Sequence, residues 1–275
     1  MRLEKFRYRS KMDKTMNESL KEATGLSVSF NESTFSMDFG DDLNTPDFTV
    51  RRLQDLNKVW AKPIGEENRI LYQVTSGLWL NGDETLWTEA NIIYGIVMFS
   101  SGSVGGEFIK SSGQYHPICA KNTMATPEIY TVLKGIGHFL LQKATPPYEV
   151  VEDAVLVEVH EGETFVVPPD YGHLQINPEN NLLIFSYAVM DGMKGVYEPF
   201  RKRKGAIYYE MAEGPERYVF NTNYTRRIPL RFIRAGAICQ LPYLNEEVTY
   251  QKIRDNLYEL HFLTDPTNFP ESAML

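Results

Sequence analysis

The chain has 275 residues, a formal net charge of −8 at pH 7, 43% hydrophobic and 23% charged residues, and two cysteines. That length holds one large all-β domain or two small ones. The acidic balance argues against a nucleic-acid or anionic-membrane partner, and Cys119 and Cys239 alone make neither a disulfide framework nor a sulfur metal site. No apolar run reaches transmembrane length and the N-terminus lacks an apolar signal core, so a cytoplasmic protein is expected.

Residues 1–35 are mixed and polar, with a short helix expected from Met12 to Ala23. Ser36 to Thr49 is acidic and loop-like. Apolar residues at 50, 53, 56 and 59–60 predict a short helix over Val50–Trp60 with one buried face, on which Arg51 and Arg52 read as solvated or carboxylate-paired.

From Arg69 onward the pattern is that of strands, namely Ile70–Thr75, Asn91–Ser100, Glu107–Ser111, Glu128–Leu133 and His138–Lys143. Ala154–His160, Thr164–Val167, Leu174–Asn177 and Asn181–Met190 continue it. Aromatic content is high, with 16 Tyr and 15 Phe, as strands favour. Short strands broken by Gly and Pro predict an antiparallel β-sandwich or barrel. Beyond Lys202 a strand pair is expected over Ala206–Met211 and Arg217–Phe220, followed by a helix at Glu246–Leu260. The predicted organisation is an N-terminal arm over residues 1–49, a barrel domain over 50–223, and a C-terminal extension over 224–275 packed on the barrel.

Two stretches carry the chemistry. Gln114 and His116 stand two apart on a strand and share a face. Glu128 opens the next strand and His173 follows the Pro168-Pro169 turn. Nitrogen and oxygen ligands without sulfur suit Fe, Mn, Ni or Zn and do not choose among them. An ion with open positions there can polarise a carbonyl and the neighbouring hydroxyl. Gln114 is the weakest of the four as a ligand. His138 and His160 read as structural, and His261 has no partner in view.

These residues resemble the cupins, and among them the archaeal-type, metal-dependent glucose-6-phosphate isomerases. The resemblance runs from about Val50 to Asn223 through Arg51-Arg-Leu-Gln-Asp55, Leu71-Tyr-Gln-Val74, Gly106–His116, Glu128–Gln142 and Val166–Asn177. It implies a cupin double-stranded β-helix, a jelly-roll barrel with short terminal helical or irregular extensions. It further implies a homodimer that interconverts glucose 6-phosphate and fructose 6-phosphate in glycolysis and gluconeogenesis, with a small phosphorylated sugar as its ligand. The family binds a divalent metal through a Gly-His-x-His motif, a glutamate and a third histidine, positions that read Gln114, His116, Glu128 and His173 here. By the same resemblance Glu128 carries a proton between C1 and C2, Tyr130 faces the sugar, Ser111 and Gly113 hold the phosphate, and Tyr187 stands in the pocket wall. Three further departures are a long Pro117–Pro127 loop, Val97 where the family has a threonine, and no substrate-side histidine around Asp191–Met193. A cupin enzyme for another sugar phosphate, or a non-catalytic sugar-phosphate binder, fits the same residues.

Overall fold

The computed structural model describes residues 20–31, 34–119, 123–238, 241–244 and 248–275. The helix expected over Met12–Ala23 lies largely outside them; residues 20–24 are helical. A hairpin of β1 (Val28–Asn31) and β2 (Ser36–Phe39) follows. Next come β3 (Asp47–Arg52), β4 (Ile70–Ser76), the helix Glu84–Ala90, β5 (Ile92–Phe99), and a small hairpin of β6 (Ser103–Val104) and β7 (Glu107–Phe108). The remaining barrel strands are β8 (Glu128–Lys134), β9 (Ile136–Lys143), β10 (Asp153–His160), β11 (Thr164–Val167), β12 (Tyr171–Ile176) and β13 (Leu183–Met190). After the helix Glu198–Lys202 stand β14 (Tyr208–Glu210), β15 (Tyr218–Phe220) and β16 (Leu230–Arg234).

Two sheets enclose the interior, one ordered β11-β8-β13-β5-β4-β3 and the other β12-β9-β10-β16. Strand alternation divides their residues among three cores. Val97, Phe99, Val132, Phe139, Val157 and Phe185 meet between the sheets. The even-numbered Tyr94, Ile96 and Met98 of β5, with Ile129 and Ile184, point outward beneath Val28, Phe30, Tyr250, Ile253 and Leu260 of the terminal segments. The outer face of the smaller sheet, with Leu140, Leu156 and Leu174, is covered by Tyr115, Phe200, Ile207 and Tyr224. Because both faces of each sheet are covered, β5 reads as an unbroken apolar run rather than as an alternation.

Three expectations are corrected. Val50–Trp60 is not one helix. Its first residues extend β3, which pairs with β4, and only Leu53–Leu56 turns, as a 3-10 helix. The predicted buried face survives, since Leu53, Leu56, Val59 and Trp60 are buried. The loop expected over Ser36–Thr49 contains β2 and the start of β3. The helix expected at Glu246–Leu260 is a helix at Thr249–Arg254 and a 3-10 helix at Glu259–Leu263, with Glu246 outside the described residues. The predicted strand pair after Lys202 is present as β14 and β15.

The C-terminal stretch is built into the barrel. β16 adds to β10 in parallel, with Leu156 opposite Phe232. Tyr250 fastens the following helix: its hydroxyl accepts from the Leu80 amide (3.0 Å) and the Trp87 indole (3.0 Å) and donates to Asp83 (2.7 Å). No helix among the described residues is long and apolar enough to cross a membrane. Tyr250→Phe should leave the buried Trp87 indole N–H without its acceptor, at a cost of about 1–3 kcal/mol. The expected readout is a lower urea midpoint at unchanged m-value; an unchanged midpoint would show that this clasp adds nothing.

Candidate active site

A cavity of about 240 Å³ lies between the sheets, floored by the concave face of the larger one. Residues on one face of each strand contribute in turn: Glu128 and Tyr130 of β8, Tyr187 and Val189 of β13, Val97 and Phe99 of β5, Tyr72 and Val74 of β4, Thr49 and Arg51 of β3. The opposing wall is residues 111–114, with Gln175, Met193, Gly195 and Tyr197. The segment around Gln114 lies beside β12, with the Gln114 amide donating to the His173 carbonyl (3.0 Å) and the reverse bond at 2.9 Å. That pairing brings His116, Glu128 and His173 together from three separate chain segments.

All three are buried, Glu128 being only 3% exposed. Glu128 Oε2 stands 3.1 Å from His116 Nε2 and 3.2 Å from His173 Nε2. One ligand atom from each residue falls in a group within 4.8 Å of one another. His116 Nδ1 lies 2.7 Å from the Thr126 carbonyl oxygen, which can only accept, so Nδ1 carries the proton and Nε2 of the neutral ring presents a lone pair. That lone pair faces the carboxylate, yet neither His116 Nε2 nor Glu128 Oε2 makes a hydrogen bond. Two buried acceptors aimed at each other are unfavourable unless a cation lies between them. Donors about 2.1 Å from a common ion stand roughly 3.0–3.4 Å apart, so the observed separations fit a divalent ion held by two imidazoles and a carboxylate.

Burial alone would raise the Glu128 carboxyl, but the two imidazoles set against it, His116 and His173, outweigh it and bring it down to about 2. Burial lowers the His173 imidazole despite the opposing pull of Glu128. Burial, reinforced by the Glu128 charge, holds the Tyr130 phenol well above its usual value. Tyr130 accepts from Gln175 Nε2 (2.7 Å) and its oxygen lies 3.2 Å from His173 Nε2. It is therefore a fixed, protonated donor at the same end of the cavity.

The other expected residues are also in this cavity, in different circumstances. Gln114 lines it, but its carboxamide oxygen rests against Gly195, at 2.1 Å from where a Cβ there would sit. Ser111 lines it with its hydroxyl accepting from the Gln175 amide (3.2 Å). Gly113 has φ +75°, and a Cβ there would meet Phe200 at 2.6 Å, so both backbone and packing require glycine. Tyr187 lies over Gly95, whose added Cβ would fall 2.6 Å from its ring. Its hydroxyl donates to the Thr75 carbonyl (2.9 Å), leaving the ring and an oxygen lone pair for a ligand.

The remaining histidines are elsewhere. His138 Nδ1 is bound to Glu210 (2.8 Å), His160 Nε2 to Glu158 (2.7 Å), and His261 Nδ1 lies 2.9 Å from the Tyr258 carbonyl. Sequence reasoning missed Gln175, Tyr197 and Arg51. Gln175 lay within the Val166–Asn177 stretch with no role attached to it, Tyr197 carried no motif, and Arg51 was hidden by the helix expectation, whereas on β3 its position alternates with that of Arg52.

No curated protein matches the chain. Solved structures that resemble it include the oxalate decarboxylase of Bacillus subtilis, at 18% identity over 47% of this chain and 28% of that one, TM-score 0.31. The vicilin of hazelnut, Corylus avellana, is 15% identical over 49% of this chain and 33% of that one, TM-score 0.33. An oxalate oxidase is 20% identical over 40% of this chain and 44% of that one, TM-score 0.27. The chain thus spans less than half the length of each. A family model described as glucose-6-phosphate isomerase (GPI) matches residues 50–227, a span that takes in the His116–Glu128–His173 group and the cavity wall from Arg51 to Tyr197. On this match and on its two-sheet jelly-roll fold, the chain belongs to the cupin-type glucose-6-phosphate isomerase family.

Proposed function

We propose that the protein is a metal-dependent aldose–ketose isomerase that interconverts glucose 6-phosphate and fructose 6-phosphate. The observation that carries this reading is the convergence of His116 Nε2 and His173 Nε2 on Glu128 Oε2, Glu128 being the one carboxylate that lines the cavity among the described residues. His116, Glu128 and His173 would hold the ion, with the Gln114 carboxamide as a weak fourth donor. A bound divalent ion would supply Lewis acidity toward the sugar's carbonyl and adjacent hydroxyl oxygens.

The chain's own groups supply the rest. Among the described residues Glu128 is the only Asp or Glu lining the cavity, and it is the group assigned to carry a proton between C1 and C2 of an enediol. Tyr130, held protonated beside it, donates a hydrogen bond to an oxygen of the bound sugar. Phe185, Val97 and Val189 exclude water from the enediol. Ser111 and the backbone at Gly113 would bond the phosphate oxygens.

Metal-stripped protein should regain conversion of glucose 6-phosphate to fructose 6-phosphate when Fe, Mn, Ni or Zn is restored. Glu128→Gln should lower the rate by about 10²- to 10⁴-fold. Folded protein that stays inactive with every metal would sink the isomerase reading. Independently, Gln114→His should tighten metal binding, measured by competition with a chelating dye, by at least the roughly tenfold that outer-shell partners alone confer. Unchanged affinity would remove position 114 from the ligand set.

A further inference from the structure

We propose that Arg51 is the specificity-determining residue that holds the substrate's phosphate monoester at the open end of the cavity. The assignment takes its substrate from the sugar-phosphate reading above.

Three observations carry it. Among the described residues Arg51 is the only Lys or Arg lining the cavity, and Glu128 the only carboxylate. The two lie on opposite margins of the sheet's cavity floor. Glu128 is on β8 and Arg51 on the edge strand β3, with β13, β5 and β4 between. Across that floor both groups act on the Tyr197 phenol, which lines the same cavity. The Glu128 end is buried and the Arg51 end is exposed. A ligand that fits both ends carries its oxygen-rich reacting carbons at one terminus and an anion at the other.

Arg51 is also unengaged, which its neighbour is not. Arg52 lies on the other face of β3, where its guanidinium donates to the Asn68 carbonyl (3.2 Å) and its amide to Asp55 (2.7 Å). Among the described residues the Arg51 side chain makes no ion pair and no hydrogen bond, although Arg217, Arg231, Arg234 and Arg254 each face a carboxylate. An exposed guanidinium without a carboxylate offers five donors in a planar fork suited to phosphate.

Neutral donors surround it. Arg51 stands opposite Tyr72 in the β3–β4 register, and its charge acts on the phenols of both Tyr72 and Tyr197. Tyr72 and Ser112 line the cavity together with Arg51. A second cation, Arg201, lies over the Tyr197 ring at 5.4 Å. On a protein of net charge −8, this local positive end attracts a dianion that the surface as a whole repels.

The test is isothermal titration of inorganic phosphate, and separately of glucose 6-phosphate, into wild type and the variants Arg51→Gln, Arg51→Lys and Arg231→Gln. Arg231 bonds Asp153 away from the cavity and controls for loss of charge alone. Arg51→Gln should weaken phosphate binding by about ten- to a hundredfold, the range of hydrogen bonds to a charged group. Arg51→Lys should retain part of the affinity and Arg231→Gln all of it. In turnover the Arg51→Gln loss should fall on KM rather than kcat, as for uniform binding. Equal affinity of wild type and Arg51→Gln, an equal loss in Arg231→Gln, or no phosphate binding by wild type would overturn the assignment. Arg51-dependent phosphate binding in a protein that isomerises nothing would uphold Arg51 and remove the isomerase reading, so the two fail separately.

Discussion

The larger sheet is packed on both of its faces, and the rest of the molecule follows from that constraint. Its inward residues, Phe99 and Phe185 as well as the smaller Val97 and Thr49, line the cavity, and the first three also pack into the core between the sheets. Its outward residues had to meet an apolar cover, which the β1–β2 hairpin and the C-terminal helices provide. Terminal segments that look accessory in sequence are therefore one wall of the same core. Gly95 shows how tightly the two faces are linked. It leaves room for the Tyr187 ring, which reaches the Thr75 carbonyl and forms part of the cavity floor.

The candidate metal centre inherits its order from this packing. His116, Glu128 and His173 come from a loop-edge segment and two strands, and what orients them is mostly backbone. The Thr126 carbonyl fixes the His116 ring, while the antiparallel bridge between Gln114 and His173 sets the spacing of the two histidines. With these contacts made, three buried donors point at one spot. An ionised carboxylate at such depth is costly on its own, which makes a bound cation the natural partner for Glu128.

How much of this could be read in advance varied with how local the cause was. The strand pattern and the proximity of His116, Glu128 and His173 were legible, because apolar runs broken by Gly and Pro and the Glu-x-Tyr and Pro-Pro-x-x-x-His spacings are properties of short windows. The Val50–Trp60 segment misled because Leu53, Leu56, Val59 and Trp60 have helical spacing and are indeed buried. Pairing of β3 with β4, a tertiary event, decided the conformation of Val50–Arg52. The same error hid Arg51, since alternate residues of a strand face opposite sides while a helical reading placed both arginines in solvent. The role of the C-terminal residues was illegible for a different reason: β16 finds its partner β10 some seventy residues earlier in the chain, counting between the strands in sequence.

That parallel pairing has a consequence for biosynthesis. Until Leu230–Arg234 has left the ribosome, the outer edge of β10 displays free amide and carbonyl groups along an apolar strand, a template on which another nascent chain can add. The Tyr250 clasp forms later still. Closure of the barrel margin by β16 and the C-terminal part of the cover over the larger sheet thus both follow synthesis of the barrel strands. In that interval the unpaired β10 edge is the part of the growing chain most open to association with another chain.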